Sequence, residues 1–149
     1  MKRIIFGLLF SCFLFACNQN SEEADHHAHE DTAGVQQTQL TLNNGAKWKA
    51  DSITNQNVVI LKTIADNFKI KPFPSSNDYQ VLSGDLSNAL SQMIQQCKMT
   101  GSDHEALHHW LEPVLQKNKE LKNISDTANA RRIFVSIDQR IDDYPNYFE

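Results

Sequence analysis

The chain has 149 residues, 14 basic against 18 acidic, with a net charge of −4 when histidine is neutral. That acidic balance excludes nucleic-acid binding, which depends on clustered lysine and arginine to displace counterions from phosphates. The length allows one ordinary domain, and the three cysteines are too few for a stapled miniature fold.

The first element is residues 1–16, in which Lys2 and Arg3 precede an apolar run from Ile4 to Ala16. This is the layout of a secretory signal peptide, and the run falls short of the ~20 apolar residues that span a bilayer. Leu14-Phe15-Ala16-Cys17 resembles the lipobox of bacterial lipoprotein signals. The resemblance implies cleavage before Cys17 and acylation of that residue by chains such as palmitate. It also implies a lipoprotein of the cell envelope, anchored to the outer membrane and facing the periplasm or the cell surface. Cleavage removes Lys2 and Arg3 but no acidic residue, which moves the net charge from −4 to −6.

Residues 17–44 are rich in Asn, Gln, Ser, Thr, Glu and His without apolar periodicity, the composition of a flexible tether. Asp25-His26-His27-Ala28-His29-Glu30-Asp31 sets three imidazoles among carboxylates. Such a tract is either a secondary, exposed metal-collecting site at His26, His27 and His29 or a solvated spacer.

From residue 45 to 149 the pattern is helical and predicts an all-α, antiparallel up-down-up-down four-helix bundle. A first helix starts near Asp51, with Val58, Leu61, Ala65 and Phe68 at three- and four-residue spacing, and stops at Pro72 and Pro74. Ser75, Ser76 or Asn77 caps a second, whose stripe runs Tyr79, Leu82, Leu86, Ala89 or Leu90, Met93 and Cys97. Gly101 is expected to end it and Asp103 to cap the third, which carries Leu107, Leu111, Val114 and Leu121. Pro113 should kink that helix, because proline cannot donate to the carbonyl of His109. Ser125 or Asp126 opens a fourth, with Phe134, Ile137, Ile141 and Tyr144 on one face.

One segment concentrates donors for a metal. Met93, Cys97, Met99, His104, His108 and His109 include both methionines after residue 16, the single thiol left once Cys12 is removed and Cys17 acylated, and every histidine beyond the tether. In an antiparallel hairpin turning at Gly101, Cys97 should lie level with the gap between His104 and His108, with Met93 one turn deeper. Thiolate, thioether and imidazole together favour a soft or borderline ion, Cu(I) first and zinc second. Met93, Cys97, Met99, His104 and His108 are therefore the candidate ligands, while Trp110 reads as a packing residue beside them. Met93 as core filler and Cys97 as a small buried hydrophobe are the competing structural roles.

Leu42 to Asp51, Cys97 to His104, and Leu107-His108-His109-Trp110-Leu111-Glu112-Pro113 resemble small helical lipoproteins of Bacteroidetes-type bacteria. The resemblance implies an envelope companion of heavy-metal handling, with metal-efflux components as partners, and carries no established activity. Three functions follow as expectations. The leading one is an envelope-anchored binder of copper or zinc. The others are a noncovalent haem bundle ligated by Met93 and His108, and a structural or chaperone-like helical protein without cofactor. An enzyme is not expected, since no nucleophile motif or phosphate cradle is present. A thiol hydrolase using Cys97 with His104 or His108 is the remaining catalytic arrangement.

Overall fold

The computed structural model describes residues 39–149. Four long helices, α1 (Ser52–Lys69), α2 (Ser76–Gln96), α3 (Gly101–Lys122) and α4 (Thr127–Asp142), are followed by the single turn α5 (Tyr144–Tyr147). Each long helix packs on its neighbour in sequence and α1 also meets α4, which makes an antiparallel four-helix bundle. No β-strand occurs among the described residues.

Local chemistry sets most helix ends. Asp51 accepts from the Thr54 amide at 2.6 Å and caps α1. Ser75 and Asp78 form a reciprocal capping box on α2, each accepting from the other's backbone amide. Asp126, rather than Ser125, caps α4 by accepting from the Ala128 amide at 3.0 Å. Pro72 and Pro74 bound the link after α1, and Phe73 between them takes a left-handed φ of 52° with its ring 99% exposed.

The apolar stripes bury as their spacing requires. Val58, Leu61 and Ala65 of α1 meet Tyr79, Leu82, Leu86, Ala89, Leu90 and Met93 of α2 in one core. From the other side come Leu107, Trp110, Leu111, Val114 and Leu121 of α3, and Phe134, Ile137 and Ile141 of α4. Two aromatic clusters lie toward opposite ends. Phe68 contacts Tyr79 and Phe134 with centroids 5.0 Å away in each case, while Trp110 meets Tyr144 edge-on and Tyr144 stacks on Phe148.

A polar layer crosses the core between α2 and α3. Ser83 donates to the Asn118 carbonyl at 2.9 Å, and the Asn118 amide donates to the Ser83 carbonyl and to Ser87 Oγ. These bonds need one alignment of α2 against α3, because a slip would leave buried polar groups unpaired. They therefore fix the register of the hairpin.

Four expectations change. Gly101 is the first residue of α3, with φ of +67°, rather than the end of α2; α2 stops at Gln96 and Cys97 is its C-cap. Asp103 caps nothing in α3, since its carboxylate accepts from the Lys49 amide at 3.0 Å and ties α3 to the segment before α1. The folded unit begins before residue 45: Leu40, placed in the tether by composition, is 6% exposed in the core. Leu40 and Leu42 within a polar stretch are too few to make a period, and only Leu40 buries. The last difference is α5, after which Phe148 buries and the chain end pairs in parallel with residues 48–50 through Trp48 N to Tyr147 O, Glu149 N to Trp48 O and Ala50 N to Glu149 O.

Pro113 lies inside α3, which continues past it to Lys122. The carbonyl of His109, denied the amide four residues on, accepts from Arg140 Nη2 at 2.8 Å. Arg140 Nε donates to the Trp110 carbonyl at 3.2 Å, and the Trp110 indole donates back to the Arg140 carbonyl at 2.8 Å. Burial lowers the guanidinium's pKa, an effect the nearby Tyr147 and Asp143 oppose. A cation on α4 thus supplies the donor that proline cannot.

Candidate functional site

The donors grouped by sequence separate into two environments. Met93 follows the core stripe of α2 and is 1% exposed. Cys97, one turn later on the same stripe, is half-buried against the core, and so is Met99 in the link that follows. His104 and His108 lie on the outer flank of α3, half-buried and exposed respectively. Their Nε2 atoms are 3.2 Å apart, with ring centroids at 4.5 Å and planes at 75°.

The register set by Ser83 and Asn118 does bring Cys97 about level with His104, as the hairpin argument requires. Level is not direction, however. Cys97 is packed against the core, whereas on the flank of α3 His104 is half-buried and His108 exposed. Among the described residues no group of three or more His, Cys, Asp or Glu side chains converges. The convergence of Cys97 with His104 and His108 is therefore replaced by a pair of imidazoles, with Met93, Cys97 and Met99 packed on or in the core. His26, His27, His29 and Cys17 lie outside the described residues.

Cys97 borders a polar joint instead. Asp51 accepts from the Lys98 amide at 3.0 Å as well as capping α1, and Asn57 donates to Gln96 Oε1 at 3.0 Å. Burial pushes the Asp51 carboxyl up, but hydrogen bonds from Thr54 and Lys98 outweigh it and hold its pKa below the usual value. Tyr144 donates to Asn55 Oδ1 at 2.9 Å, and its hydroxyl is pushed well above the usual tyrosine pKa, first by burial and then by the charges of Asp51 and Cys97. The link between α2 and α3 is thereby sewn to the start of α1, which accounts for its extended course between the two helices.

The histidine pair has the nitrogen spacing of a bidentate chelate. Residues four apart share a helix face, and two such histidines are a recurring zinc-binding arrangement. With metal–nitrogen distances of about 2.0–2.1 Å, two ligands at the tetrahedral angle lie ~3.3 Å apart. The observed 3.2 Å needs little rearrangement to reach that value. In the metal-free pair one ring donates to the other, which ties the two tautomers together.

Arg140 was not singled out by the sequence. Pro113 signals that the His109 carbonyl needs another donor, but nothing in the chain order shows that residue 140 provides it. Compared with protein-family models, with curated proteins and with solved structures, the chain finds no match.

Proposed function

We propose that this protein is an envelope-anchored binder of a borderline transition metal, zinc or Cu(II), gripped by His104 and His108. The observation that carries the reading is the 3.2 Å separation of the two Nε2 atoms on the outer flank of α3. Two imidazoles without thiolate or thioether favour borderline divalent ions over Cu(I), so the expected order of metals reverses once Cys97 and Met93 pack with the core. Acylation at Cys17 holds the protein at the membrane, and the tether histidines His26, His27 and His29 offer a second, looser site. Efflux components that release or accept the same ions are the partners this function calls for.

Competition titration with zinc and Cu(II) tests the reading. His104→Ala with His108→Ala should remove the tighter site, and Cys97→Ala should leave it unchanged. Equal affinity in the histidine variant and the parent chain would overturn it. Membrane association should be lost in Cys17→Ala, as read by fractionation. The haem reading gains no support, because its candidate ligands Met93 and His108 are a core residue and a surface residue.

A further inference from the structure

We infer that the ion held by His104 and His108 is shared with a second copy of this chain, whose own His104 and His108 complete a four-imidazole site on a twofold axis. The inference rests on the metal-binding reading above and deepens it. Its starting point is a mismatch of numbers. A zinc site without open positions takes four ligands, whereas the described residues bring together two imidazoles and no third His, Cys, Asp or Glu.

The pair's direction matters next. His108 is exposed and His104 half-exposed, so the unfilled coordination positions face outward from α3. Side chains deeper in the same bundle cannot reach them. A symmetric partner can, because a twofold axis through the ion places the same two donors on its far side, and closed twofold dimers are the commonest assembly of identical chains. Four imidazoles at the tetrahedral angle then need only the spacing that each pair already has.

The surroundings suit a protein surface more than bulk water. Leu115 lies two helical turns beyond His108 on the same face of α3, about 10.5 Å along the axis, and is 37% exposed. Ile94 of α2 is 51% exposed. The register fixed by Ser83 and Asn118, and by Gln80 donating to the Ile124 carbonyl, sets Ile94 about level with His108. Apolar side chains therefore border the pair on its α2 side and toward the C-terminal end of α3. Such a surface is small, so the ion has to supply much of the association energy, and dimerisation should follow metal concentration by mass action.

Sedimentation velocity on the full mature chain, carrying Cys17→Ser to keep it in solution, tests the proposal with zinc as the probe. The expected result is monomer in chelator and dimer at one zinc for two chains, with excess zinc returning monomer as each pair takes its own ion. His104→Ala/His108→Ala should stay monomeric at every zinc level, with its helical circular dichroism intact. Leu115→Glu should keep the pair's zinc affinity in one chain and shift the dimer midpoint by at least tenfold. A parent chain that binds one zinc through the pair and remains monomeric overturns the shared site while leaving the proposed function standing. A histidine variant that binds zinc as tightly as the parent overturns both. Dimer that survives the pair variant but disappears in His26→Ala/His27→Ala/His29→Ala assigns the bridge to the tether and overturns the inference.

Discussion

Replacing Arg140 by methionine keeps the aliphatic stem and removes the two hydrogen bonds to the carbonyls of His109 and Trp110. A hydrogen bond from a charged donor is worth about 1.5–3 kcal/mol net. The 2.8 Å bond belongs toward the upper part of that range and the 3.2 Å bond at its lower end. Against them stand the desolvation that lowers the guanidinium's pKa and the rotamer freedom lost by a long side chain, about 2 kcal/mol. The net cost of Arg140→Met is therefore ~2 kcal/mol. The decisive measurement is a double-mutant cycle with Pro113→Ala, read by urea unfolding followed through circular dichroism and tryptophan fluorescence. An alanine in place of the proline supplies the amide that the His109 carbonyl lacks, so the Arg140→Met cost should fall by about 1 kcal/mol in that background. If the two changes instead add to within ~0.5 kcal/mol, the idea that Arg140 compensates for the proline is wrong.

Other consequences can be checked more briefly. Phe73→Asn should stabilise the fold by roughly 0.5–1 kcal/mol in thermal or chemical unfolding, because asparagine tolerates the left-handed φ of 52° and the phenylalanine ring makes no buried contact to lose. Gly45→Ala should cost about 1 kcal/mol: the residue sits at φ +89° after Asn44 at +51°, in a tight turn closed by Asn43 and Ala46, and an added Cβ meets no atom, so the penalty is backbone strain alone. The Asp78 carboxyl is held down to about 2 by Lys71 and by its bonds with Ser75. Its folded pKa is thus below the ordinary value of 3.8, so its contribution to capping α2 is present above that pH and lost as pH falls toward 2. Asp78→Asn should flatten stability in that window, as read by unfolding midpoints from about pH 5 down to about pH 2. Cys97→Ala should alter stability by no more than ~1 kcal/mol and metal affinity not at all, a combination that isothermal titration and unfolding together can refute.

Periodicity along the chain determined the all-α class, the four long helices and nearly every buried position, because each stripe depends only on 3.6 residues per turn and on side chains within one element. The helix start near Asp51 and the cap candidates that include Ser75 and Asp126 were legible for the same reason, since a cap's donor and acceptor lie within three residues of each other. The i, i+4 spacing of His104 and His108 likewise made their contact readable in sequence. What one dimension could not carry was direction across elements. Cys97 is level with the histidines, yet it follows the core stripe of α2 while they follow the outer flank of α3, and only the packed bundle decides which way each face turns. Leu40 in the core, Asp103 on the Lys49 amide and Arg140 on the carbonyls behind Pro113 belong to the same kind. Each joins residues 30 or more positions apart, or buries a residue with no periodic neighbours, so each exists only once the helices have packed.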